Sequence, residues 1–207
     1  MISRQELIFR LSSPMLEEDS SPVALDKRRY ATTPASVLIP ILNASEDPTL
    51  PDWHLLFTHR TDQVADHKSQ VSFPGGRADP HDNGPEATAL REAYEEIGLK
   101  PQNVQVIGKL AQLPTITRYL VTPVIGLIPW PYEFILQPKE VSQVFTIPLG
   151  WLADPGNHTV RQIGNATPAE GKAAFLREVI FFKAYQGETL WGVSAEITVR
   201  LIQKLSG

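Results

Sequence analysis

Three glutamates, Glu92, Glu95 and Glu96, fall within five consecutive positions of Arg91-Glu92-Ala93-Tyr94-Glu95-Glu96-Ile97-Gly98-Leu99, and Phe73-Pro74-Gly75-Gly76 precedes them. On an α-helix each residue advances about 100°, so Glu92 and Glu96 lie roughly 40° apart. Glu95 falls on the other side of Glu92, within the same arc of about 100°. Ala89, Leu90, Ala93, Tyr94 and Ile97 supply the face that packs inward. Carboxylates gathered this closely raise one another's pKa unless a cation compensates. A hard divalent ion with oxygen ligands, Mg²⁺ or Mn²⁺, is the natural compensation. The plainer reading is a solvated acidic face on which Arg91 pairs with Glu95 at i,i+4.

The elements that must position these groups are legible in outline. The helix begins near Pro85, where a missing N–H costs nothing, with Asp82 or Asn83 as its cap. Gly98 ends it as a left-handed residue. Apolar or β-branched runs predict strands over 36–42, 53–60, 104–110, 120–128, 141–147, 158–163 and 175–185. Residues 1–11 and 189–205 carry helical apolar spacing, and 148–153 reads as a short helix. Residues 62–70 form a polar stretch that overhangs the glycine turn. Strands interleaved with a few helices fit a mixed sheet covered on both faces. The expected organisation is a helix and connection over 1–33 and one domain over 34–207.

Composition narrows the function classes. A formal net charge of −4 argues against nucleic acid as a partner. Lys27-Arg28-Arg29 is the one basic cluster, read as a solvated loop. The chain has no cysteine, so disulfide and thiol chemistry are excluded. No apolar run is long enough to span a bilayer, and Arg4, Glu6 and Arg10 interrupt any signal-peptide core. A soluble cytoplasmic protein is the expectation; a homodimer is compatible with the chain, and no pattern fixes its oligomeric state.

Beyond the residues themselves, Gly75-Gly76 and Arg91–Leu99 resemble the opening glycines and closing half of the Nudix box, R-E-U-x-E-E-x-G-U. The usual opening half would place glutamate at position 83, where Asn83 stands. The stretch from Gly76 to Arg91 is one residue longer than the pattern, leaving Asp82 as the nearest equivalent of a mainly structural acid. Leu56-Phe57-Thr58-His59-Arg60-Thr61, Ser72–Gly76, Thr115–Gly126, Glu140–Leu149 and Trp191-Gly192 look like the coenzyme A diphosphatase subgroup, although Ala65 replaces an expected arginine and Ser69 a glycine. The resemblance implies an α/β/α sandwich, and a metal-dependent hydrolase cleaving coenzyme A or acyl-CoA into adenosine 3′,5′-bisphosphate and (acyl-)4′-phosphopantetheine. The alternative within the family is ADP-ribose, NADH or another nucleoside diphosphate derivative. A nucleotide sensor without turnover is disfavoured by the intact Glu92, Glu95 and Glu96.

For such a reaction Glu92 and Glu96, one turn apart, are the expected metal ligands, with the Gly76 carbonyl as a further one. Glu95 either binds a second metal or accepts the proton of water, and Glu140 is the distal candidate for that base. Arg60, His67 and Lys68 are candidate phosphate contacts. Arg91 is expected to orient Glu95, and Gly75, Asp82 and Gly98 to shape the motif. Trp53, Trp130, Trp151 and Trp191 could stack a base, though core packing is the commoner use.

Overall fold

A computed structural model describes residues 2–13, 33–47, 49–61, 70–165 and 175–207. The elements are α1 (Arg4–Ser12), β1 (Thr33–Asn43), β2 (Trp53–Arg60), β3 (Val71–Ser72), β4 (Gly75–Arg77), α2 (Pro85–Ile97), β5 (Gln105–Lys109) and β6 (Leu113–Pro114). They continue with β7 (Tyr119–Leu127), β8 (Val141–Pro148), α3 (Leu149–Ala153), β9 (His158–Asn165), β10 (Phe175–Phe182) and α4 (Val193–Ser206). Every predicted strand and helix that falls on described residues is present, with ends shifted by a few positions. The very short β3, β4 and β6 were not expected.

Eight strands make one sheet in the order β3-β2-β1-β7-β5, with β4 also on β1, β6 on β7 and β8 on β2. The β1–β7 pairing is parallel and the others are antiparallel, so the sheet is mixed. β9 and β10 form a separate antiparallel ribbon.

The continuous apolar run of β1 is explained by burial of both sheet faces, because successive side chains point to opposite sides. Leu38 and Leu42 join Leu56 and Val124 against Ala89, Ala93 and Ile97 of α2. Ile39 and Ile41 join Leu55 and Phe57 on the other face, packed with Leu7 and Leu11 of α1 and Ile197 and Leu201 of α4. The result is the expected three-layer α/β/α sandwich. α1 is stitched to it by the Trp53 indole N–H, which donates to the Ile2 carbonyl at 2.9 Å, and by an Arg10 hydrogen bond to the Leu205 carbonyl. Full burial of Leu7 and Leu11 is worth roughly 1.5–3 kcal/mol each.

Two local expectations are corrected. Gly84, at φ 89°, caps α2 rather than Asp82 or Asn83, and no side chain caps it. Tyr94 is exposed instead of packed inward, and Glu96 takes the inward place. The stretch 62–69, with His67 and Lys68, lies outside the described residues, as do most of 16–33 and Lys27-Arg28-Arg29. Among the described residues no helix is long and apolar enough to cross a membrane.

Candidate active site

The site is built where β4 runs along β1 beneath the first turns of α2. Ser36 faces Gly76 and Val37 faces Gly75 across that pairing. A Cβ on Gly75 would overlap the Ser36 carbonyl oxygen and lie 2.6 Å from the Val37 Cα, so only glycine lets the two backbones approach this closely. A Cβ on Gly76 would lie 2.5 Å from Glu92 Oε2. The glycine pair therefore does two jobs: the first seats the strand and the second leaves a cradle for a carboxylate.

Above that cradle the three glutamates are graded in depth. The Glu95 side chain is 54% exposed, Glu92 15% and Glu96 2%. Glu96 is held from both sides: Arg60 Nη1 donates to Oε1 at 3.2 Å and the Gly75 N–H donates to Oε2 at 3.1 Å. Burial nevertheless pushes its pKa up to about 7, because loss of water outweighs Arg60 and the Gly75 N–H, while the Glu92 and Glu140 charges push the same way. Burial raises Glu92 as well, against the pull of Arg91 and with Glu95 and Glu140 adding to the rise.

Arg91 organises the outer half. Its Nε and Nη2 donate to Asp82 Oδ1 and Oδ2, both at 2.9 Å, and Nη2 also donates to the Arg77 carbonyl at 3.0 Å. Its Nη1 donates to Glu92 Oε1 at 2.9 Å and to Glu95 Oε2 at 3.0 Å. The hydrogen bonds from Arg91 hold the Asp82 carboxyl well below the usual carboxylate range. The i,i+4 pairing of Arg91 with Glu95 is thus present, as one contact among several.

The loop before β8 is tied to the end of α2. Gly98 at φ 68° stops the helix, and its carbonyl accepts the Tyr132 hydroxyl at 3.2 Å. The Ile135 and Gln137 N–H groups donate to the Ile97 and Glu96 carbonyls at 3.1 and 2.8 Å. These partners satisfy helix-end carbonyls that would otherwise lack donors. Three residues on, the Glu140 carbonyl accepts the Thr61 N–H at 3.0 Å, linking the loop to the end of β2. Glu140 is thereby brought near enough for its charge to act on Glu92 and Glu96. Nothing in the sequence pattern marks Tyr132 or Gln137, whose contacts are to backbone groups distant along the chain.

Of the expected site residues, Glu92, Glu95, Glu96, Glu140, Gly75, Gly76, Asp82, Arg91 and Arg60 belong to this one region. Arg60, expected at a phosphate, has its guanidinium on Glu96, and its buried Nε has no partner among the described residues. Gly98 lies one turn beyond, as the helix stop. Among the described residues, no group of three His, Asp or Glu side chains converges as it stands to hold a metal ion. Arg91 accounts for part of this, drawing Glu92 and Glu95 toward itself. The donor chemistry still fits a hard divalent cation: four carboxylates face two guanidinium groups and Asp82 takes up much of Arg91.

The comparisons with known proteins agree with this construction. A NUDIX domain model matches residues 32–165. Proteins named "Uncharacterized Nudix hydrolase NudL" from Yersinia pestis (strain Pestoides F) and Yersinia pseudotuberculosis serotype O:1b (strain IP 31758) are each 37% identical over 172 residues, covering 83% of this chain and 79% of theirs. A solved MutT/nudix family protein from Enterococcus faecalis shares the fold at TM-score 0.52 and 15% identity, over 93% of this chain and 65% of that one. Nudix hydrolases use divalent metal ions, in keeping with the acidic donor set found here. The sheet, the glycine cradle and the acidic helix thus converge with the sequence match: this chain belongs to the NUDIX domain family and is a Nudix pyrophosphohydrolase.

Proposed function

We propose that the enzyme, with Mg²⁺ or Mn²⁺, cleaves the diphosphate bond of coenzyme A or an acyl-CoA to adenosine 3′,5′-bisphosphate and 4′-phosphopantetheine or its acyl form. The observation that carries the diphosphate chemistry is the buried Glu96, fixed between Arg60 and the Gly75 N–H beside Glu92 in the Gly76 cradle. Burying such a carboxylate is costly, and Arg60 with the Gly75 N–H offsets that cost only in part. Support for the substrate comes from the stretches that resemble the coenzyme A diphosphatases: 56–61 ends β2, 72–76 runs from β3 into β4, and 115–126 forms the turn into β7 and most of that strand, with β1 pairing with β2, β4 and β7.

A divalent ion, when bound, acidifies a coordinated water and neutralises phosphate oxygens. Glu92 and Glu96 are its ligands, joined by the Gly76 carbonyl. Arg60 aims Glu96 and offsets part of the cost of ionising it in a buried place, and Arg91 restrains Glu92 and Glu95. Glu95, at the exposed rim, and Glu140, on the loop tied to the helix end, are the two groups able to take the proton of the attacking water. His67 and Lys68, on the segment following β2, are proposed with Arg60 as phosphate contacts.

The test is the product spectrum from coenzyme A in ¹⁸O-water with Mg²⁺ or Mn²⁺. Adenosine 3′,5′-bisphosphate and 4′-phosphopantetheine, one of them carrying ¹⁸O, are expected. Fast ADP-ribose or NADH cleavage beside inert coenzyme A would transfer the assignment to those substrates.

A further inference from the structure

On the sheet face opposite α2, a cavity of about 180 Å³ opens between the 115–117 turn, the β9–β10 ribbon and the start of α4. Ile116, Val160 and Val193 line it while remaining 54%, 53% and 36% exposed. A single exposed aliphatic side chain needs no explanation, but several converging on one concavity mark a surface that a ligand covers. The walls are fixed. Thr115 Oγ1 accepts the Tyr119 N–H at 3.0 Å and holds Ile116 at the crest of its turn. The Gly192 N–H donates to the Ile180 carbonyl at 3.0 Å, joining α4 to β10, and Trp191 stacks on Phe181 at 5.5 Å.

Two features define what would fit. Arg177, in the lining, has a buried Nε–H with no acceptor among the described residues, which costs free energy until a ligand oxygen supplies one. Glu178 and Glu196 stand at the same cavity and disfavour a phosphate or carboxylate there. A neutral, largely apolar chain bearing a carbonyl meets both conditions. The cavity is tied to the reaction site across the sheet: Gln70 lines it, and the Gln70 carbonyl accepts the N–H of Arg60, the residue that grips Glu96.

We propose that this cavity is the subsite for the acyl chain of the substrate, with Arg177 donating to a carbonyl of the chain, so that the enzyme prefers acylated coenzyme A to the free thiol. The inference rests on the proposed coenzyme A-type substrate and adds which form is favoured. It is tested on the full chain with Mg²⁺, comparing kcat/KM for octanoyl-CoA and coenzyme A in the wild type, Ile116→Asp, Val160→Asp and Phe9→Asp. Phe9 is 73% exposed on α1 and serves as a surface control outside the cavity. The octanoyl-to-free ratio is expected to exceed one in the wild type and to drop by roughly tenfold in both cavity variants. It should be unchanged in Phe9→Asp. A wild-type ratio near one, or a ratio that survives both substitutions, overturns the subsite. If no coenzyme A ester is cleaved at all, the proposed reaction fails, and binding of S-octanoyl-pantetheine, which has neither nucleotide nor diphosphate, decides the cavity separately. Methyl shifts at Ile116 and Val193 that vanish in Val160→Asp would uphold it; no binding to the wild type would overturn it.

Discussion

Arg91 and Asp82 meet through two hydrogen bonds of 2.9 Å each, a fork-to-fork pairing across the turn that leads into α2. The carboxylate comes from the position next to Asn83, so the extra residue between Gly76 and Arg91 is absorbed by the 79–84 turn, where Asp82 Oδ2 also accepts the Asp79 N–H at 2.9 Å. Replacing Asp82 with Ala is expected to cost roughly 1.5–3 kcal/mol at neutral pH, read by urea unfolding. The sign of its pH dependence follows from the depressed pKa. The stabilisation is complete above the unfolded value near 4 and is lost as pH falls toward the lower folded value. The gap between variant and wild type should therefore narrow below about pH 4.

The two glycines should respond differently to one added methyl group. In Gly76→Ala the three atoms nearest the new carbon all belong to the movable end of Glu92, so the fold should survive while kcat/KM drops by at least about tenfold. In Gly75→Ala it meets the β1 backbone, and a loss of roughly 3 kcal/mol or more is expected. Thermal melts beside steady-state rates separate these outcomes.

Glu96→Gln should lower turnover at saturating metal by at least about a hundredfold. Stability of the metal-free protein should change by no more than about 1 kcal/mol, because a neutral amide removes the cost of a buried charge but leaves Arg60 or the Gly75 N–H without its acceptor. Full activity in this variant would refute the ligand assignment.

For Arg60→Gln the division between constants is informative. A residue acting through Glu96 should lower kcat by roughly tenfold or more with little change in KM, whereas a direct phosphate contact made before the transition state would raise KM. Initial rates over a range of substrate at fixed Mg²⁺ distinguish the two.

Much of this arrangement could be read from residue order, and its failures have physical causes. Long runs such as 53–60 and 193–206 carried enough periodicity to declare themselves. β3, β4 and β6, at two or three residues, are too short to show any period and exist because neighbouring strands template them. The sequence reading puts Tyr94 rather than Glu96 on the inward face, since charge dominates an amphipathic reading. Yet Ala89, Ala93 and Glu96 stand at i, i+4 and i+7, the spacing of a buried stripe, and the helix follows that spacing. Sequence preference favours a capping side chain at Asp82 or Asn83, whereas the backbone turn at Gly84 supplies the helix start. Glu140 is identifiable as a candidate, but its proximity depends on backbone hydrogen bonds to segments far away along the chain, at Ile97, Glu96 and Thr61, about which local pattern is silent.

Those bonds have a dynamic corollary. Since Ile135 and Gln137 commit their amide protons to the last turn of α2, the loop cannot lift without stripping that turn of its donors. Hydrogen–deuterium exchange should accordingly show the helix terminus and the 135–140 segment opening as a single cooperative unit, protected or released together.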